Sequence, residues 1–358
     1  MRLLLFLILS AQAFGAGFES YTNLVVSDSG ARSLDGVRVT YLGTNGYQFE
    51  LKGHALLVDP YFSRVDLLSA ALGSRIQPNA FRINDGLRRL TQTDVRSSAL
   101  RRHGISRESR VNAELQALPN IDAILVTHGH FDHLMDVPTV MAKTRARLIA
   151  SASSVNLVER ARLGQSSLRS RFGGVGGHGG DADASSGDAV KPGDVRRIGQ
   201  WKIRVLSATH DRLFGKVPFD RPHSQTQPPQ HAADWICGEP LAFMIEGNGQ
   251  RIYIDSGGTP AQLPPNESGG RRVDLAILGM ALPDSRARLA AALAYLQPRY
   301  VLPSHQDDFF RPLSAGFQFG PLTDFPRVQR ETAQQNGSRL ILLDYFRPWT
   351  LPKAANPK

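Results

Sequence analysis

The seven residues Thr127 to His133 read T-H-G-H-F-D-H, so three of the chain's ten histidines and an aspartate fall within six positions. An apolar run, Ile121 to Val126 (I-D-A-I-L-V), comes directly before them and reads as a buried strand, while Leu134 to Met141 reads as the start of a helix. Residue types that bind metal therefore sit where a strand ends and a loop begins. His128 and His130, two apart on an extended segment, project to the same side and can reach one ion. Asp132 and His133, beyond the turn, point elsewhere and can hold a second. Imidazole nitrogens with a carboxylate and no thiolate suit zinc, manganese or iron, and a catalytic rather than a structural site, because structural zinc usually closes with cysteines.

The pattern His128-x-His130-x-Asp132-His133 after a strand resembles the signature of the metallo-β-lactamase superfamily, and segments similar to that family's other elements occur in its order. Leu56 to Asp59 (L-L-V-D), continued by Pro60-Tyr61-Phe62-Ser63, resembles the early strand whose terminal aspartate lies beside the metals. Val205 to Thr209 (V-L-S-A-T) ends at His210, which matches an isolated ligand histidine. Arg251 to Ser256 (R-I-Y-I-D-S) carries Asp255, similar to the aspartate that bridges both metals. Tyr300 to Pro303 (Y-V-L-P) leads through Ser304 to His305, which matches the last ligand histidine. The resemblance runs from about Val37 to about Asp344.

It implies a four-layer αββα sandwich in the α/β class, and two divalent metal ions, zinc first. His128, His130 and His210 would hold one ion, Asp132, His133 and His305 the other, with Asp255 between them. Asp59, left without a coordination place, is expected to orient a ligand imidazole through its other nitrogen. Two departures stand out. The usual Gly-Asp at the bridging position is Ile254-Asp255-Ser256-Gly257, and Gln306 follows His305 where a tryptophan is common. The segments Asp59 to Ser63 and Pro303 to Phe309 look most like the branch containing N-acyl phosphatidylethanolamine phospholipase D and ascorbate-phosphate lactonase. Cys237, the chain's one cysteine, matches no ligand position and reads as a small buried hydrophobe.

Met1-Arg2, the apolar Leu3 to Leu9 and Ala11-Gln12-Ala13 have the form of a secretory signal peptide over residues 1–13, which predicts an exported protein, periplasmic or extracellular. No later segment is apolar enough to span a bilayer. Because the family-like segments are spread end to end, residues 14–358 read as one domain with insertions at 64–118 and 211–237. The first insertion reads as short helices and holds ten arginines against five acids, half of the formal net charge of +10. The second follows His210 directly, is proline-rich, and is expected to overhang the metals. Gly173 to Gly187 reads as a surface loop, with His178 solvated.

Two cations sharing a water lower its pKa and present hydroxide to an electrophilic carbonyl or phosphorus, so hydrolysis is the expected chemistry. Asp132 is the candidate to accept a hydrogen bond and a proton from that hydroxide. Arg212 and Lys216 are candidates to hold a phosphate or carboxylate, His223 and His231 to protonate a leaving group, and Phe214, Phe219 and Trp235 to line an apolar wall. Asp307 and Asp308 read as caps of a following helix. A phosphodiester of a lipid or small molecule is the leading substrate, and a lactone or other carboxylic ester the second. A metal-binding envelope module without catalysis is the reading from another class. Aromatics are not interleaved among the arginines as a single-strand nucleic-acid groove would need, so no specific nucleic-acid partner is expected.

Overall fold

The computed structural model describes residues 17–28, 36–92, 120–171, 187–213, 215–220, 227–257, 273–280, 283–334 and 337–353. The signal-like segment, residues 93–118 of the first insertion, the glycine-rich stretch as far as 186, Phe214 and His223 lie outside them.

Two seven-stranded sheets repeat one plan. In the first, β1 (Arg38–Gly43), β2 (Gly46–Leu51) and β3 (His54–Val58) form an antiparallel meander, which β4 (Asn120–Leu125), β5 (Arg147–Ala150) and β6 (Asp188–Ala189) extend in parallel. In the second, β7 (Val195–Ile198), β8 (Trp201–Ser207), β9 (Leu241–Gly247) and β10 (Gln250–Ile254) are antiparallel, and β11 (Leu275–Gly279), β12 (Tyr300–Ser304) and β13 (Arg339–Leu340) continue in parallel. The short β14 (Trp349–Thr350) closes the outer edge of β1. The helices are α1 (Leu67–Ala71), α2 (Ala80–Gln92), α3 (Phe131–Leu134), α4 (Val137–Thr144), α5 (Ala152–Arg171), α6 (Pro283–Leu296) and α7 (Phe325–Ala333).

Strand alternation explains why the layers stack as they do. In β3, Ala55 and Leu57 face outward among Ile83, Leu87 and Val140 of the helices, whereas Leu56 and Val58 face the second sheet. In β10 and β11, Ile252, Ile254, Leu275 and Ile277 enter that inter-sheet core, while Tyr253, Ala276 and Leu278 pack on Leu289 and Leu293 of α6 and Val328 of α7. Strands buried on both faces need continuous apolar runs, as these are. Each fully buried Leu, Ile or Val contributes about 1.5–3 kcal/mol relative to exposure. The result is the αββα sandwich, with helices outside two central sheets.

Two local expectations are corrected. The helix expected from Leu134 to Met141 is two helices, because Pro138 in the first turn of α4 has no N–H to continue α3. The carboxylate of Asp136, at the break, accepts instead from the backbone of Phe62 and Ser63 and from Ser63 Oγ. Asp307 and Asp308 cap no α-helix: the segment runs through turns to a short 3-10 turn at Leu313–Ala315. Asp307 makes a buried ion pair with Arg64 at 2.9 Å, and Asp308 accepts from the amide of Phe310. Among the described residues no helix is long and apolar enough to cross a membrane.

Candidate metal centre

Every expected ligand hangs from the C-terminal end of a strand: His128 to His133 after β4, His210 after β8, Asp255 after β10 and His305 after β12. Asp59, after β3, and His305 adopt left-handed backbone with φ of 41° and 53°, a conformation that costs a non-glycine residue of order 1–2 kcal/mol and has to be held in place. The β1–β2 turn holds both. Thr44 O accepts the His305 amide at 2.8 Å, while Asn45 donates to Asp59 Oδ2 at 2.8 Å and accepts from Ser304 Oγ at 2.7 Å. At the other side Gly129 donates to Cys237 O, and a Cβ on Gly129 would lie 2.3 Å from Ile236 O, so only glycine lets the histidine loop seat there. Cys237 is buried, which pushes its thiol up to about 12, and it joins neither ligand cluster.

His128, His130 and His210 offer one nitrogen each, all within 4.8 Å of one another. Their outer hydrogen bonds decide which nitrogens are bare. Thr127 Oγ1 gives its single proton to Asp59 Oδ2, so at 3.1 Å it accepts from His128 Nδ1. His130 Nε2 donates to Pro218 O at 2.8 Å, and His210 Nδ1 donates to Asp211 O at 2.7 Å. Burial, then neighbouring histidines, push His128 and His130 well below the usual imidazole range, and burial lowers His210 to about 4. All three rings are therefore neutral near pH 7. The bare Nε2 of His128 and bare Nδ1 of His130 face each other at 2.9 Å. Two lone pairs so close repel unless a cation lies between them, so these residues fit a divalent metal.

Asp132, His133 and His305 form a second group within the same limit. Asp132 Oδ2 lies 3.1 Å from His305 Nε2 and 3.5 Å from His133 Nε2, and Asp59 accepts from His133 Nδ1 at 2.8 Å. Asp59 thus meets the His133 ring nitrogen that faces away from Asp132. Burial alone would lower His133, but the carboxylates of Asp132 and Asp59 push it up to about 10. Burial would raise Asp132, yet His133 and His305 hold it well below the usual carboxylate range. With one anionic oxygen and two imidazoles, this group also fits a divalent metal.

The other sequence candidates divide. Asp255 joins neither group: Oδ1 accepts from Gly257 N and Gly279 N, and Oδ2 from Tyr253 OH. Arg212 and Lys216 are exposed and off the cavity described below. His231 is turned to Asp234 at the start of a 3-10 turn, and Trp235 is buried in the outer core. Phe219 sits edge-on to His130, its ring centroid 5.9 Å away. Arg288 of α6 was not anticipated. It ion-pairs with Asp211, the residue after His210, and donates to Gly257 O at 3.1 Å, fastening two ligand-bearing loops together.

A cavity of about 260 Å³ opens over both groups, its lining including His130, Asp132, His133, His210 and His305. Its walls come from α1 (Leu67, Ala71), from the second insertion (Leu213, Pro218, Phe219) and from Phe309, Phe310, Pro321 and Leu322. Of the second insertion, Asp211, Leu213, Pro218 and Phe219 line the cavity, whereas the third wall had no signal in the sequence beyond scattered aromatics.

A family model described as Beta-lactamase superfamily domain matches residues 54–305. A UPF0173 metal-dependent hydrolase from Rubrobacter xylanophilus is 36% identical over 224 residues, 61% of this chain and 75% of its own length. One from Anaeromyxobacter sp. (strain K) is 28% identical over 208 residues, 56% of this chain and 64% of its own. The chain thus spans just under two thirds of the length of the Anaeromyxobacter relatives. The solved structure of Igni18, a metallo hydrolase from Ignicoccus hospitalis, covers 89% of this chain and 99% of its own with 14% identity and a TM-score of 0.48. Since the matched span runs from β3 to His305 and encloses both ligand groups, the chain belongs to the beta-lactamase superfamily.

Proposed function

We propose that this protein is a metal-dependent hydrolase acting on a carboxylic ester or lactone that carries an apolar group. The observation behind this reading is the cavity over the two ligand groups: it is walled by Leu67, Phe131, Phe219, Phe309, Phe310 and Leu322, and among the described residues no lysine or arginine lines it. Among the described residues lining the cavity, a phosphodiester would find no cation besides the ions themselves to balance its charge. A neutral ester does not face that cost. The names of the curated relatives, metal-dependent hydrolases, agree in reaction type.

Two divalent ions, zinc by preference with manganese or iron as alternatives, would supply an acidified water and polarise the scissile carbonyl. His128, His130 and His210 would hold one, and Asp132, His133 and His305 the other. Asp59 and Pro218 O fix ring orientation from outside, which keeps the bare nitrogens aimed inward. Asp132, ionised and lining the cavity, accepts the hydrogen bond that aligns the attacking water. Phe219 and Phe309, beside His130 and His305, exclude solvent and seat the apolar group against the site.

A phosphodiester remains the second reading, favoured by the formal net charge of +10, which draws anions to the surface. Export is proposed from residues 1–13, and amino-terminal sequencing of the secreted protein tests it. The substrate test uses zinc-loaded protein on p-nitrophenyl esters of rising acyl length, a lactone panel and bis(p-nitrophenyl) phosphate, with and without chelator. Chelator-sensitive ester or lactone turnover that improves with apolar size is expected. Faster turnover of the phosphodiester would replace this reading with the second, and bound zinc without any turnover would favour the metal-binding module.

A further inference from the structure

Residues 253 and 255 share a strand face by the period of two, and the face they share is the one packed against α6. Tyr253 lies in that outer core, and its hydroxyl donates to Asp255 Oδ2 at 3.1 Å. Asp255 Oδ1 accepts from Gly257 N at 3.2 Å and Gly279 N at 3.0 Å. Gly257 has φ of 95°, and a Cβ on Gly279 would lie 2.1 Å from Gly257 N, so the turn after β10 seats directly on the bare end of β11. Arg288 grips the same turn through Gly257 O. Ser256, between these anchors, lines the cavity, and its Oγ lies 3.5 Å from His133 Nε2, the nitrogen turned towards Asp132.

We infer that Asp255 latches the turn after β10 rather than bridging two metals, and that the neutral hydroxyl of Ser256 is what β10 presents to the gap between the two ligand groups. This rests on the two-metal reading above. Swinging Asp255 into the gap would strip two backbone N–H groups and a buried phenol of their acceptor, each a costly loss. With Asp255 fixed, Asp132 is the one carboxylate among the six residues of the two groups. Two ions held by these residues would meet one negative charge fewer than a bridging aspartate would supply.

The experiment is titration of chelator-stripped protein with zinc(II) against a chromophoric chelator, read together with circular dichroism and Tm, for the unmodified chain, Asp255→Asn and Ser256→Asp. Two equivalents of unequal affinity are expected for the unmodified chain. Asp255→Asn should keep both affinities and lower Tm, while Ser256→Asp should tighten the weaker equivalent by about tenfold or more. A folded Asp255→Asn protein that loses one equivalent would overturn the inference. So would a folded Ser256→Asp protein whose weaker equivalent is unchanged, and that arm decides the matter if Asp255→Asn does not fold. No zinc uptake by the unmodified chain would instead sink the metal reading itself, a result distinguishable from either.

Discussion

His128, His130 and His210 on one side, and Asp132, His133 and His305 on the other, lie around one cavity with four of the six buried, yet they treat protons in opposite ways. The first group contains no carboxylate, and burial drives its rings neutral. In the second, His133 lies between the carboxylates of Asp132 and Asp59, which hold its proton to about pH 10. An incoming ion meets three ready lone pairs in one group and a proton already in the cation's place in the other. Counting ligands therefore does not predict how two neighbouring sites fill. The charge just outside the ligands does.

On the two-metal reading proposed above, removing both ions tests the pair as a whole and has the largest effect: turnover should fall to background. Restoring zinc at 1,000 times its Kd should add about 4 kcal/mol of stability, read as a rise in Tm. Unchanged Tm would mean that the ions do not fasten the strand ends together. Thr127→Val separates the groups, since Thr127 Oγ1 accepts from His128 Nδ1. Zinc on the first group should weaken by about 10–100-fold, with a smaller loss on the second, in a competition titration. Equal losses would mean that Thr127 acts chiefly through Asp59.

Calorimetry near neutral pH, in buffers of different ionisation enthalpy, tests the proton contrast directly. Filling the second group should release about one proton, so that affinity climbs about tenfold per pH unit until His133 loses its proton at about pH 10. Filling the first should release none while His210, titrating at about 4, stays neutral. The same shift sets the stability of the chelated protein. Because the folded value for His133 exceeds its ordinary 6.5, its contribution is complete below pH 6.5 and is lost as pH rises towards about 10, which urea melts would follow. The smallest effect belongs to Arg288→Gln, which unfastens Asp211 from Gly257 O and should cost about 1–3 kcal/mol by calorimetry with both ions still bound.

The layers were legible because strands buried on both faces leave runs such as Leu56 to Val58 and Leu275 to Leu278, and the ligand loop because four chemically distinctive side chains crowd behind one strand. What escaped depends on distance in the chain. Arg288 reads like any helix-surface arginine until the fold brings it to Asp211. Asp307 read as a cap, but Arg64, 243 residues earlier, is its partner. Asp255 shares a strand face with Tyr253 by alternation, the face away from the inter-sheet core, and there it meets the Tyr253 hydroxyl.

The cavity walls come from three separate segments, and among the described residues only the second insertion touches ligands by hydrogen bonds, through the carbonyls of Asp211 on His210 and Pro218 on His130. A backbone carbonyl is supplied by every residue. Side chains along the walls can therefore change over generations while the ring they brace stays where it is, which leaves selection free to explore new substrates without first dismantling the machinery that would cleave them.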